Sequence, residues 1–200
     1  MDSMLSAGLV LSLLVLPASF EPVRVDLYGI SLCPYTTNYL NDHFIPTWKQ
    51  LGPSGEVKFI YHPIPSQGCS HRKCYCMHDE RECHKNALQS CVINALPDFN
   101  DHLDYVNCFQ GKKHRQDSAS ACLNGSTFPT VSDIDNCARS QFGVRLQDSE
   151  HYFALKYAPD LEYYPWVMIN GVYSEYAEQN LLKTLCKMLQ PKPEGCKGHR

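Results

Sequence analysis

The sequence predicts an α/β fold with a disulfide-rich helical insertion, and three observations predict it. Two β-rich apolar runs, "VRVDLYGI" (residues 23–30) and "EVKFIYHPI" (residues 56–64), flank a segment with helical periodicity. A third stretch, "YYPWVMINGVYSE" (residues 163–175), reads as strand, tight turn and strand, and leads into an amphipathic helix. Between the second and third runs, residues 67–158 hold eight of the eleven cysteines, with helical patterning and little strand pattern.

The elements follow in chain order. Residues 9–16, "LVLSLLVL", form an apolar core of signal-peptide length, too short to span a bilayer. Pro17, Ala18 and Ser19 follow as breaker and small residues, so a signal peptide is expected over residues 1–19 and the mature domain over 20–200. The strand at 23–30 comes next. After a Cys-Pro turn, Leu40, Phe44, Trp48 and Leu51 recur at helical spacing. Pro46 should kink this helix and Gly52 should end it. The strand at 56–64 is closed by Pro63 and Pro65. In the insertion, Leu88, Cys91, Val92, Ala95 and Leu96 form one apolar helix face, and Phe99, Leu103 and Val106 form another after Pro97. Ser132, followed by Asp133 and Asp135, reads as a helix start before Cys137. Residues 166–169 read as a strand, Asn170-Gly171 as a hairpin turn and 172–174 as its partner. Leu181, Leu182, Leu185 and Leu189 mark the closing helix. Strand, helix, strand, helical insertion, hairpin, helix is the order of a thioredoxin-like fold, with the insertion (about 67–158) where the middle helix belongs.

Composition narrows the function. The formal net charge is −3 and no long segment is dominated by one sign, so nothing suggests a nucleic-acid partner. The basic run at 112–115 reads as a solvated loop. Beyond the leader no stretch is apolar for long enough to span a membrane. A leader with eleven cysteines implies the oxidising secretory route and disulfides. Asn124-Gly125-Ser126 is an N-x-[ST] sequon, so Asn124 is the expected glycosylation acceptor.

The chemistry centres on Cys33, followed by Pro34, Tyr35 and Thr36. A thiolate, not a thiol, attacks a disulfide, and in an acidic compartment an ordinary thiol is almost wholly protonated. A cysteine at a strand-to-helix junction meets unpaired backbone N–H groups and the positive end of the helix dipole, both of which favour the thiolate. The Thr36 hydroxyl is placed to donate a further hydrogen bond to it. The reading requires that the Cys33 sulfur, at the head of the helix, is neither sealed inside the core nor tied into a bridge. Pro165 opens the third strand. It is either a cis proline whose loop faces the nucleophile, or a trans proline starting a strand.

The stretch "CMHDERECHKNALQSC" carries Cys76, His78, Glu82, Cys83, Asn86 and Cys91 in the pattern C-x-H-x-x-x-E-C-x-x-N-x-x-x-x-C. It resembles the signature of the gamma-interferon-inducible lysosomal thiol reductase family, with Met77 for the signature's Gln and Asp79 for its Gly. The segments 164–171, "YPWVMING", and 181–196, "LLKTLCKMLQPKPEGC", are similar to that family's proline-tryptophan strand and two-cysteine C-terminal end. The resemblance implies a thioredoxin fold, residence in lysosomes or outside cells, and reduction of disulfides in partly unfolded proteins at acid pH. The family's active site is generally C-x-x-C, so its nucleophile carries over to Cys33 while Thr36 stands where the resolving cysteine belongs.

By the same resemblance, Cys76, Cys83, Cys91, Cys108, Cys122, Cys137, Cys186 and Cys196 look like a structural set. Their pairing is open, apart from Cys186 with Cys196 across a proline-rich turn. Cys33, Cys69 and Cys74 remain, and the odd total leaves at least one cysteine unpaired. Either Cys69 bridges Cys74 and Cys33 is free, or one of the two reaches Cys33 and replaces the resolving thiol. Cys69, His71, Cys74, Cys76, His78, Cys83 and His84 are zinc-ligand types. The C-x-x-C spacing of a zinc ribbon is absent and secretion would oxidise the thiols, so no metal is expected. His78, Glu82 and Asn86, four apart, either face the redox site or fix the insertion by local hydrogen bonds.

The expected function is a monothiol oxidoreductase acting on protein disulfides through Cys33, with Pro34, Tyr35, Thr36 and Pro165 supporting the site. No bound cofactor is expected, and an external small thiol such as cysteine or glutathione would resolve the mixed disulfide. The expected location is the secretory route, ending in lysosomes, outside the cell or both. Two alternatives stand beside it: a thioredoxin-fold binding protein that has lost turnover, and an extracellular disulfide-rich ligand.

Overall fold

The computed structural model describes residues 21–110 and 118–198. The expected signal peptide and the basic run at 112–115 lie outside the described residues. Strand β1 (Val23–Gly29) leads through a short turn into α1 (Pro34–Tyr39). That helix continues through a π-helical turn (Leu40–Phe44) into α2 (Ile45–Leu51), so the disruption expected at Pro46 takes the form of a widened turn just before it. Strand β2 (Val57–Pro63) follows, then a two-residue hairpin, β3 (Cys69–Ser70) and β4 (Lys73–Cys74). Helices α3 (Asp79–Ala95), α4 (Phe99–Gln110), α5 (Ala119–Cys122), α6 (Val131–Arg139) and α7 (Gln141–Tyr157) build the insertion. Strands β5 (Trp166–Ile169) and β6 (Val172–Tyr173), then α8 (Glu175–Gln179) and α9 (Leu181–Met188), close the chain.

The main sheet has the order β2-β1-β5-β6. β1 runs parallel to β2 with Val25 opposite Phe59, and antiparallel to β5 with Leu27 opposite Val167. Alternation along the strands divides the core in two. Val25, Leu27, Phe59, Tyr61, Val167 and Ile169 face the larger cluster, which helices α1 to α6, α8 and α9 complete. Tyr28, Ile30, Trp166 and Met168 face a smaller one, closed by Ala154 on α7 and by Ala158 just beyond it. Asn170 and Gly171 take positive φ in the β5–β6 turn, as the Asn-Gly pair requires.

One local expectation is revised and one helix is new. The helix expected to start at Ser132 is capped by Thr130, whose side chain accepts from the Asp133 amide while the Asp133 carboxylate accepts from the Thr130 amide. Helix α7 was not legible, because its exposed side includes Tyr152, Phe153, Leu155 and Tyr157, which blurs the apolar stripe.

Between α7 and the sheet lies a buried charge cluster. The His62 imidazole bridges Asp26 on β1 (2.9 Å) and Glu150 on α7 (2.8 Å), and stacks on Tyr28 at 4.5 Å. The Arg24 guanidinium forks onto Asp26 at 2.6 and 2.7 Å. Burial alone would lower the His62 pKa, but hydrogen bonds to the two carboxylates outweigh it and raise it to about 9.

Candidate active site

Cys33 is the N-cap residue of α1, with extended backbone (φ −73°, ψ 120°) and Pro34 at the first helical position. An N-cap side chain meets the amides of the second and third helical residues, here Tyr35 and Thr36. The thiol makes no capping hydrogen bond in this structure. Cys33 is the free cysteine among those described, because Cys69 pairs with Cys74. Of the two alternatives open in the sequence, the structure has the first.

Cys33 does not stand clear of the core. It is 6 % exposed and packs in the smaller cluster with Ile30, Ile64, Ala154 and Trp166. Ala154 from the C-terminal part of α7, and Ala158 just beyond it, share this cluster and help to cover it. Pro34 and Tyr35, the next two residues, are exposed, so Cys33 lies at the rim of this cluster.

Thr36 is fully buried, and its hydroxyl has no hydrogen-bond partner among the described residues, so the bond expected toward Cys33 is not formed. Its methyl instead faces Gly29 and Tyr61: a Cβ at Gly29 would lie 2.6 Å from Thr36 Cγ2 and 2.9 Å from the Tyr61 ring. Trp166 Nε1, in the cluster around Cys33, is likewise buried without a partner.

The peptide bond between Tyr164 and Pro165 is cis. Tyr164 and Pro165 line an open cavity of about 480 Å³ together with Tyr35 and Tyr39 from α1, His43 from the π-helical turn and Glu178 from α8. Tyr164 and Trp166 also pack in the cluster that holds Cys33, which sets the proline loop beside that cysteine.

The signature residues lie one layer below. Asn86 Oδ1 accepts from the Ser31 amide at 2.9 Å, and Asn86 Nδ2 donates to the Ile64 carbonyl at 2.8 Å. One buried amide thus ties the loop before Cys33 to the end of β2. Glu82, fully buried, accepts from the Ser66 hydroxyl at 2.8 Å and from the His78 amide and ring at 2.9 and 2.7 Å. Of the two readings of His78, Glu82 and Asn86, the structure favours local bracing. The disulfides Cys76–Cys83 and Cys91–Cys137 anchor α3 to the preceding loop and to α6, and the thiols of the Cys/His cluster are thereby paired. Cys108–Cys122 and Cys186–Cys196 complete the set.

Sequence reasoning missed the partners that complete this brace. Ser31 donates its hydroxyl to Gln89, Gln89 donates to Gln110 and the Val106 carbonyl, and Gln110 donates to the Ile30 carbonyl and the Thr37 hydroxyl. Gln89 is one turn beyond Asn86 on the same face of α3, the one signal that could have found it. Asn124 is exposed in a turn after α5, a placement that leaves it open to modification.

No helix among the described residues is long and apolar enough to cross a membrane. Solved structures show the same fold: BdbD of Bacillus subtilis in its oxidised form superposes with a TM-score of 0.62 at 13% identity, covering 80% of this chain and 85% of that one. DsbA of Chlamydia trachomatis gives 0.61 at 11% identity, over 94% of this chain and 100% of that one. A GILT-like protein of Caenorhabditis elegans is 33% identical over 187 residues, 90% of this chain and 86% of its own length. Residues 24–126, which contain Cys33 and the whole α3 signature, match the family model described as gamma interferon inducible lysosomal thiol reductase. This chain belongs to that family.

Proposed function

We propose that the protein is a thiol–disulfide oxidoreductase that works with one nucleophilic cysteine. The observation that carries this reading is a single unbridged thiol at the N-cap of α1, set beside the Tyr164–Pro165 loop. The Cys33 thiolate attacks one sulfur of a protein disulfide. A Cys33–substrate disulfide forms, the substrate S–S bond breaks, and the leaving thiolate takes a proton from solvent. An external thiol such as cysteine or glutathione then attacks the mixed disulfide and a second completes the exchange. The sum is two small thiols oxidised to one disulfide and one protein disulfide reduced to two thiols, with Cys33 regenerated. At 6 % exposure Cys33 is less accessible to a folded surface than to a flexible segment, which favours partly unfolded substrates. Family membership and the disulfide set support action in the secretory route, in lysosomes or outside the cell, and the exposed sequon supports glycosylation at Asn124.

Reduction of a denatured disulfide-bonded protein near pH 5, with added cysteine, tests the mechanism. Cys33→Ser should lose the enzyme-dependent rate, and equal rates for both forms would exclude the mechanism. Thr36 in the resolving position favours a second reading, a binding protein without turnover. In that case Cys33→Ser retains substrate affinity and the wild type adds no rate over cysteine alone.

A further inference from the structure

Three oxygen atoms beside the proline loop form a closed triangle. Tyr163 Oη lies 2.5 Å from Tyr173 Oη and 3.0 Å from Glu178 Oε2, and Tyr173 Oη lies 3.2 Å from the same Oε2. Each contact is of hydrogen-bonding length and needs one proton. The two phenols supply two. With Glu178 ionised, one edge of the triangle has no proton and sets two lone pairs against each other. A protonated carboxyl supplies the third and fills every edge. The other carboxyl oxygen, Oε1, is buried and makes no hydrogen bond of ordinary length, with the Val167 amide near the carboxyl.

We propose that Glu178, Tyr163 and Tyr173 form an acid-closed clamp that positions the Tyr164–Pro165 loop beside Cys33 for an incoming disulfide. The proposal rests on the oxidoreductase reading and deepens it, by naming the residues that hold the substrate-facing loop. The connections are direct. Tyr163 immediately precedes the cis Tyr164–Pro165 unit, Tyr173 stacks on Trp166 at 3.9 Å, and the Tyr163 ring meets Trp166 edge-on at 5.2 Å. Trp166 packs in the cluster of Cys33, and Glu178 lines the groove with Pro165. The groups that face Glu178 are Tyr39 from α1, Asp42 and His43 from the π turn, Tyr163, Tyr173, and Glu175 on its own helix. Burial raises the Glu178 carboxyl above its ordinary value of 4.5, the Glu175 charge adds to this, and the two phenols and the nearby Val167 amide act in the opposite sense. The clamp is therefore closed in acid and opens as pH rises.

The experiment uses Trp166 as its reporter. The full chain has two tryptophans, so in a Trp48→Phe background the emission comes from Trp166 alone. It should change as pH rises, with a midpoint above the ordinary carboxyl value of 4.5. Glu178→Gln keeps a donor and an acceptor and cannot ionise, so it should hold the closed-state signal throughout. Tyr163→Phe removes two edges and should abolish the transition. In turnover assays the wild-type KM, relative to that of Glu178→Gln, should rise about 2- to 10-fold across the same transition, the worth of one hydrogen bond, with kcat ratios unchanged. A Trp166 transition that survives in Glu178→Gln overturns the clamp, as does an active wild type with a flat emission trace. Because emission needs no turnover, an inactive protein with an intact transition would sink the oxidoreductase reading and leave the clamp standing.

Discussion

Thr36 stands where a resolving thiol would act, and its buried hydroxyl makes no hydrogen bond. Replacing it by cysteine therefore breaks no interaction: the methyl site facing Gly29 and Tyr61 is given up, and an orphaned polar atom is removed. Thr36→Cys should fold with stability within about 1 kcal/mol of the wild type by urea unfolding. It should also show reductase activity that depends far less on the concentration of added cysteine, because residue 36 is a helical neighbour of Cys33 three positions on. An unchanged dependence on cysteine would show that the two side chains do not meet. Asn86 is the contrasting case. Its one side chain satisfies the Ser31 amide and the Ile64 carbonyl at once, and each buried group left without a partner costs about 1–3 kcal/mol. A conservative-looking change at Asn86 thus loosens the loop that aims Cys33.

At the scale of elements, α7 has two attachments to the sheet face it covers. Ala154, with Ala158 just beyond the helix, packs over the rim of Cys33, and Glu150 joins the His62–Asp26 pair. His62 has a folded-state pKa of about 9 against an ordinary 6.5, so its contribution is fully present below 6.5 and is lost as pH rises through 9. For Asp26, burial acts upward, but hydrogen bonds from His62 and Arg24 outweigh it and hold the pKa below its ordinary 3.8, so its contribution is lost only in stronger acid. The attachment is therefore at full strength in mild acid, between these limits. Unfolding free energies from urea titrations should fall between about pH 6.5 and about pH 9 by an amount on the order of 3 kcal/mol. His62→Gln should be less stable in acid and should lack that fall. A parallel fall in both proteins would place the pH sensitivity elsewhere.

At the scale of the whole molecule, five disulfides hold the described chain, and they enclose loops of different length. Cys91 and Cys137 are 46 residues apart and tie α3 to α6, whereas Cys186 and Cys196 are 10 apart. Loop-closure entropy assigns about 4 kcal/mol to the first and about 3 kcal/mol to the second. Thermal unfolding of Cys91→Ala/Cys137→Ala should accordingly show a larger loss than that of Cys186→Ala/Cys196→Ala. The reverse order would mean that native-state packing, not chain restriction, sets their worth. In either double variant Cys33 keeps its place at the N-cap of α1, so activity at low temperature should survive.

The sequence by itself determined the order of the main elements, the strand cores, the Asn-Gly turn, the cysteine inventory and the place of Cys33 ahead of the first helix. Each of these is written in local spacing: alternation for strands, three-to-four periodicity for helices, and residue types at fixed offsets for the signature. Only the tertiary structure decided the rest. It settled Cys69 with Cys74 and the cis bond before Pro165. It assigned Asn86 to Ser31 across 55 residues, and His62 to Glu150 across 88. It also gathered Tyr163, Tyr173 and Glu178 from a loop, a strand and a helix into one triangle of oxygens. Hydrogen bonds of this kind depend on distances between atoms far apart in the chain, and nothing in the local pattern encodes them until the sheet and its covering helices have closed around them.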